Sequence, residues 1–129
     1  MTKKTKIGNQ SLQIPKTILV TAKFLEAISP KLAMLFAAKL FVTPIKYKIP
    51  KRELHMEQKS IQSKLFVPSL KKNIVVYNYG KSDKKILLVH GWSGRGTQLV
   101  KIADEMIANG YMTISFDAPA HGKSEGKTT

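Results

Sequence analysis

The sequence predicts an α/β protein, and two observations on the chain indicate it. Residues 85–90 (KILLVH) form a continuous apolar run of the kind found in strands that are buried on both faces. A helix with a single apolar face and a second apolar run, residues 111–116 (YMTISF), follow at the spacing of a right-handed parallel strand–helix–strand crossover. The preceding chain has a helical pattern, so we expect a helical extension ahead of the sheet.

Two helices are predicted in that extension. Apolar residues recur at helical spacing over residues 15–28, and Ser29 and Pro30 are suited to cap and start a second helix that ends at Thr43. Residues 44–53 (PIKYKIPKRE) are basic, contain two prolines and predict a linker. The predicted organisation is a flexible basic N-terminus at residues 1–13, a helical extension and linker at 14–50, and the α/β domain at 51–129.

A β-hairpin or meander is predicted next. Residues 58–67 contain alternating stretches, and residues 73–79 (NIVVYNY) are rich in β-branched and aromatic side chains. A turn at residues 80–83 leads into the strand at 85–90. After it we expect Thr97 to open the crossover helix and Gly110 to end that helix in a left-handed conformation.

Composition and charge exclude several classes of protein. The chain has no cysteine, which excludes disulfides, zinc–thiolate sites and a cysteine nucleophile within it. Of its 22 Lys and Arg, 18 lie in residues 1–85 against four acids, so the net charge of +14 belongs to this part of the chain. Such a surplus is typical of proteins with a polyanionic partner. No nucleic acid is expected as that partner, because no reading motif accompanies the scattered lysines.

The second helix is apolar on nearly every face, which raises the question of a membrane span. Its longest charge-free run, residues 32–38, is far below the roughly 20 residues that a span requires, so none is expected. The favoured interpretation is that the helices pack on a neighbouring domain or subunit. Peripheral contact of residues 15–50 with acidic lipid head groups is the alternative. Without a signal-peptide pattern, the predicted location is cytoplasmic, with peripheral membrane association as its alternative.

A glycine-rich loop, residues 91–96 (GWSGRG), joins the strand to the crossover helix and directs backbone N–H groups toward a negative charge. Two interpretations involve a nucleotide. A Walker-type loop would need lysine where Thr97 stands, and a dinucleotide loop starting at Gly94 would put Leu99 in the place of its third glycine. In the second case Asp117 is well placed for a ribose. The third interpretation is an oxyanion site for acyl transfer.

Two motifs occur together here: HGWSG at residues 90–94 and SFDAPAHGKS at 115–124. Over residues 57–129 the chain resembles the α/β-hydrolase family, in which an H-G-x loop follows the third strand and a D-x-P-x-H-G-x-S loop follows the fourth. The resemblance implies a partial α/β-hydrolase sheet, with the first four strands and the first crossover helix. It also implies serine acyl-enzyme chemistry of an esterase-like or peptidase-like kind on an ester or related acyl substrate, with no cofactor or metal.

The resemblance assigns roles to individual residues. The backbone N–H groups of Trp92 and Ser93 would be oxyanion donors, and the Trp92 ring would line the acyl pocket or cover the core. Gly91 would allow a close approach of the backbone, and Asp117 would hold the turn after its strand. Arg95 is expected to be solvated or to contact the loop. The residues expected to shape the two loops are His90, Gly91, Gly94, Asp117, His121 and Gly122.

The resemblance does not identify a nucleophile in this chain. Ser124 stands in a G-x-S-x-G pattern, but an elbow needs an apolar strand leading into it and an amphipathic helix leaving it, and neither flank is present. His121 is only three residues away in the same loop, so no complete triad is expected. We therefore expect the first half of an enzyme, either a truncated reading frame or a fragment, whose third strand has an unpaired edge. Alone it should be inactive, and an acyl substrate would require the missing C-terminal half.

Overall fold

The computed structural model describes residues 14–129; the flexible N-terminus predicted at residues 1–13 lies outside the described residues. The chain divides into two compact units between Leu40 and Phe41. This division precedes the predicted boundary at residues 50–51, so the segment predicted to be a linker belongs to the second unit.

Two helices precede the sheet, as predicted, and the division between the units falls just before the last residue of the second helix. Helix α1 spans Lys16–Ile28 and α2 spans Pro30–Phe41. Ser29 connects them: its N–H donates to the carbonyl of Leu25 (2.8 Å), and its own carbonyl accepts from the N–H of Leu32 (3.0 Å). Neither helix has a buried side chain. No helix among residues 14–129 has the length and apolar character that crossing a bilayer requires.

The second unit is built on a four-stranded mixed sheet, which confirms the α/β class. Its strands lie in the order β1-β2-β4-β3, with β3 parallel to β4 and the other two pairs antiparallel. The antiparallel pair β1–β2 is the predicted hairpin. The bounds are β1 Ile61–Val67, β2 Lys72–Tyr79, β3 Lys85–Leu88 and β4 Met112–Asp117, with helices α3 Leu54–Lys59 and α4 Val100–Ala108.

Helix α4 begins later than the sequence predicts. Thr97 does not open it, because residues 95–100 form turns in which Gln98 N–H donates to the Arg95 carbonyl and Val100 N–H to the Thr97 carbonyl. The Thr97 hydroxyl donates instead to the buried carboxylate of Glu53 (2.9 Å). A tertiary hydrogen bond has therefore replaced the local cap. The end of α4 is as predicted, with Gly110 at φ +80°.

The core lies on one face of the sheet. Tyr79 of β2 and Leu88 of β3 pack there with Val100 and Ala103 of α4, and Met56 of α3 is fully buried among them. Met56 anchors α3, which follows the predicted linker at residues 44–53 and was not predicted; its last two residues overlap the segment 58–67, where strand-like alternation was expected. On the other face of β3, Leu87 is 62% exposed, so the described residues leave this part of the sheet uncovered.

Candidate functional site

The two loops singled out in the sequence meet at one edge of the sheet. They follow β3 and β4, which are parallel neighbours, so both loops leave the sheet at the carboxyl ends of their strands. The backbone N–H of Ala118 donates to Nε2 of His90 (3.0 Å). The rings of His90 and His121 lie 4.9 Å apart between centroids. The structure thus brings together residues that are about thirty positions apart.

Both histidines hold loop backbone in place. His90 donates from Nδ1 to the Gly91 carbonyl (2.7 Å), and His121 donates from Nδ1 to the Pro119 carbonyl (2.9 Å). Each Nε2 accepts from a backbone N–H, that of Ala118 for His90 and that of Ser93 for His121. Since a backbone N–H can only donate, each ring carries its proton on Nδ1 and has no free lone pair for a hydroxyl. Neither histidine is arranged as a general base.

Residues 91–94 form a tight turn closed by a hydrogen bond from Gly94 N–H to the Gly91 carbonyl (2.9 Å). Ser93 is its third residue and has φ +54°, as a type II turn requires at that position. The Ser93 N–H donates to His121 (3.0 Å), which corrects the expectation that both amides of this turn are available. Among residues 14–129, the Trp92 N–H has no hydrogen-bond acceptor.

The side chain of Trp92 is held beside the turn. Its ring stacks on Phe41 with centroids 6.1 Å apart and an interplanar angle of 12°. Its Nε1–H donates to the Phe41 carbonyl (2.8 Å). Trp92 is 47% exposed, and its ring does not cover the sheet core. Of the two roles expected for the ring, only lining the acyl pocket stays a prediction.

The carboxylate of Asp117 links the loops and is fully buried. Oδ1 accepts from the N–H of Gly96 (2.6 Å), and Oδ2 accepts from the N–H of Lys123 (2.7 Å) and the hydroxyl of Tyr77 (3.0 Å). Burial, followed by the charge of Asp117 and this hydrogen bond, raises the pKa of Tyr77 well above its usual range. Because the carboxylate is directed to protein donors, it is not placed for the ribose contact of the dinucleotide interpretation.

Three glycines of the two loops differ in what they allow. A Cβ at Gly96 would lie 2.7 Å from the Tyr77 ring, and a Cβ at Gly122 (φ +45°) would overlap the Asp117 carboxylate. These two positions let the loops approach the buried side chains. Gly91 was expected to do this, but a Cβ there would meet nothing within 4 Å. The close approach therefore occurs at Gly122, which was among the predicted loop-shaping residues, and at Gly96, which was not.

Ser124 is a buried structural residue, 2% exposed. Its Oγ donates to the Asp117 carbonyl (2.6 Å) and accepts from the Val75 N–H (2.8 Å). The hydroxyl thereby joins β2, β4 and the second loop, and both of its hydrogen-bonding functions are used. The sequence predicted Ser124 to be a loop residue and not the nucleophile, as found, but its two hydrogen bonds were not predicted.

Residues 41–47, which we call the strap, lie against the site. The Ile45 N–H donates to Ser93 Oγ (3.1 Å), and Lys46 Nζ donates to the Ser124 carbonyl (3.1 Å). Arg95 donates to the Tyr47 carbonyl (2.9 Å) and is only 8% exposed, which corrects the expectation that it is solvated. Most of these contacts use strap backbone, so the sequence carried no signal for them.

Metal ligands are not grouped in the described part of the chain. Within residues 14–129, no cluster of three or more His, Asp or Glu side chains could hold an ion.

Comparisons with known proteins show a relationship of fold. No family model matches the chain, and no curated protein matches it. The structure of an esterase from Pyrococcus furiosus is similar, with a TM-score of 0.53 at 22% identity over 69% of this chain. A second crystal form of that esterase has a TM-score of 0.49 at 21% identity, covering 67% of this chain and 34% of the esterase. The first comparison covers 35% of the esterase, so this chain spans about a third of its length and has part of an esterase-like fold.

Proposed function

We propose that the turn at residues 91–94 is the oxyanion loop of an α/β-fold hydrolase that acts on an ester or related acyl substrate through a serine acyl-enzyme. The observation that carries the proposal is the state of the Trp92 N–H. It stands in the loop after β3 and has no acceptor among residues 14–129, whereas the N–H groups of Ser93 and Ala118 donate to histidine rings. The partial esterase-like fold also supports the hydrolase proposal.

An N–H in this position has a defined chemical use. When a nucleophile attacks an acyl carbon, the carbonyl oxygen becomes an oxyanion, and a donor held in place beforehand stabilises it without reorganisation. Here the donor is held through its neighbours: the Ser93 hydroxyl accepts from the strap, and Nε2 of His121 accepts from the Ser93 N–H. The histidines and Ser93 are positioning residues in this proposal, and Trp92 supplies the contact to substrate.

In this proposal the nucleophile, acid and catalytic histidine come from residues outside the two loops. Within residues 14–129 Ser124 is buried and hydrogen-bonded twice, and both loop histidines accept backbone N–H groups. We propose that residues 14–129 alone do not hydrolyse esters, and that a longer polypeptide or a second chain would contribute the triad.

The inactivity is tested with the 129-residue chain itself. We expect no hydrolysis of a simple aryl ester above the uncatalysed rate and no labelling by a fluorophosphonate, a reagent for activated serines. A Ser124→Ala variant serves as the matched control. Hydrolysis or labelling that disappears in a Ser124→Ala variant that still unfolds cooperatively in urea would contradict the assignment of Ser124 as structural.

The hydrolase proposal is tested by the coding sequence that follows the Thr129 codon and by its product. We expect an apolar strand leading into G-x-S-x-G. In the product, Trp92→Pro should lower kcat by about 10²- to 10³-fold relative to Trp92→Ala, the effect of removing one oxyanion donor. Both variants lose the ring, but only proline loses the N–H, and proline suits the second position of this turn. Equal kcat values in the two variants would overturn the role of the Trp92 N–H.

A further inference from the structure

The helices of the first unit present large apolar side chains to solvent. On α1, Val20, Phe24 and Ile28 follow one another at intervals of four residues and are 67%, 64% and 60% exposed. We call these three residues the α1 stripe. On α2, Met34 and Leu35 are 61% and 52% exposed. Exposed apolar residues are common singly, but a continuous stripe on a helix marks a surface that binds something.

The charges around the stripe are positive. Lys16 lies one turn before Val20 on α1, and Lys23 precedes Phe24; both lysines are exposed. Glu26 is the only acid in residues 14–40 against four lysines, and it lies two residues after Phe24, on the other side of the helix. The apolar stripe is therefore bordered by cations and not by anions.

We propose that the first unit binds an anionic lipid surface, with the α1 stripe inserted at the level of the acyl chains and Lys16 and Lys23 at the head groups. This is the arrangement of an interfacial amphipathic helix. At 1.5 Å per residue, the 13 residues of α1 are about 20 Å long, so the helix lies in the interface and does not cross it.

Charge selects this partner over a second copy of the chain. Two copies meeting through their stripes would bring the same lysines together, and like charges at an interface oppose association. An anionic membrane instead offers apolar and negative groups side by side, and each lysine near it strengthens binding by about fivefold. The proposal concerns a surface outside the candidate site and does not depend on the hydrolase assignment.

Sedimentation with vesicles tests the binding. We expect the 129-residue chain to sediment with vesicles of phosphatidylcholine and phosphatidylglycerol, to bind vesicles of phosphatidylcholine alone far less, and to dissociate as salt is raised. No sedimentation with the anionic vesicles at low salt would overturn the proposal.

Variants distinguish membrane binding through the α1 stripe from binding through the net positive charge of the chain. Lys16→Gln with Lys23→Gln should weaken partitioning by about 25-fold, whereas Lys81→Gln with Lys127→Gln, which removes two exposed lysines of the second unit, should change it little. Phe24→Ser should weaken it by about tenfold, and Ile61→Ser, at an equally exposed position of β1, should not. Equal effects of the two lysine pairs would overturn the proposal, because binding would then follow net charge alone.

A fluorescent label identifies the inserted surface directly. Since the chain has no cysteine, Val20→Cys and Ile61→Cys each provide a single labelling site for an environment-sensitive dye. We expect a blue shift on anionic vesicles at position 20 and none at position 61. If Val20→Cys shows no shift, and light scattering finds a dimer that Phe24→Ser dissociates, the occupant of the stripe is a second copy and the lipid proposal is wrong.

Discussion

At the level of single residues, the buried carboxylate of Asp117 does most to define the candidate site. It accepts hydrogen bonds from both loops and from Tyr77 of β2, and it is fully buried. Hydrogen bonds to a charged acceptor are stronger than those between neutral groups, and a donor left without its acceptor in the interior destabilises the fold. Asp117 thus sets the distance between the two loops.

Asp117→Asn should lower the free energy of unfolding by about 2–4 kcal/mol. Whichever way the amide turns, its NH₂ group would face a donor, the N–H of Gly96 on one side or that of Lys123 and the Tyr77 hydroxyl on the other. Urea denaturation measures the change. The exposed Asp83→Asn is the control, and a similar loss in both variants would refute the role given to Asp117.

Tyr79 makes stability depend on pH in the alkaline range. Burial, followed by the hydrogen bond to Asp104 and its charge, raises the pKa of Tyr79 from 10.0 to about 12. As pH rises, Tyr79 therefore ionises in the unfolded chain before it does in the folded one. Its contribution to the free energy of unfolding is fully present below pH 10.0 and is lost as pH rises through about 12.

We expect Tyr79→Phe to show a smaller fall in the free energy of unfolding than the natural chain between pH 10.0 and about 12. A part of the fall should remain, because the pKa of Tyr77 is also raised. Urea denaturation at neutral pH provides the baseline for each protein. An identical pH dependence in both proteins would show that Tyr79 does not carry this effect.

At the level of elements, the strap forms hydrogen bonds to both loops. It accepts from Trp92 and Arg95 and donates to Ser93 and Ser124, so the strap as well as the histidines holds the turn at residues 91–94. These bonds are made by carbonyl and N–H groups at positions 41–47, together with Lys46 Nζ. The strap is consequently part of the second unit and not a free connection.

Ser93→Ala should loosen the strap. The variant removes the acceptor of the Ile45 N–H, and loss of about 1 kcal/mol at this hydrogen bond corresponds to about fivefold faster amide exchange at Ile45. Hydrogen exchange followed by NMR measures it. Ser82→Ala, which removes a hydroxyl bonded to the Gly110 carbonyl, should leave the Ile45 amide unchanged. Unchanged exchange of the Ile45 amide in Ser93→Ala would mean that this bond does not hold the strap.

At the level of the whole molecule, the described residues leave β3 with a free edge and exposed apolar side chains. Among the described residues β3 pairs only with β4, and Leu87 and Val89 are 62% and 57% exposed. An unpaired strand with apolar side chains is a template for another chain. The position of β3 at this edge agrees with the unpaired third strand that the sequence predicted.

We expect Leu87→Lys to reduce self-association of the chain at high concentration while changing the free energy of unfolding by no more than about 0.5 kcal/mol. The lysine places a charge on the open face next to the free edge. Light scattering as a function of concentration measures the effect, and Leu70→Lys, in the turn between β1 and β2, is the control. Equal reductions in both variants would indicate that added charge, and not the edge, limits association.

The accuracy of the sequence predictions follows the range of the interactions involved. The hairpin, the crossover helix and the left-handed Gly110 depend on neighbours within one or two turns of chain, and they were predicted. The start of α4 was misplaced because Thr97 bonds to Glu53, 44 positions earlier. Of the two expectations for Arg95, solvation is wrong for the same reason, since its partner Tyr47 is 48 positions away.

The sequence by itself determined the α/β class, the two N-terminal helices, the hairpin and the strand–helix–strand crossover in their order, and the two loops that hold the candidate site, because period and turn chemistry are local properties. Only the tertiary structure decided which backbone N–H groups of these loops are free. That depends on where His90, His121 and the strap lie in space, and the register of β3 against β4 sets the position of both rings. The sequence motif offers two donors, but once the loops meet, the Ser93 N–H donates to the His121 ring. Among residues 14–129, only the Trp92 N–H of these two donors is then left without an acceptor.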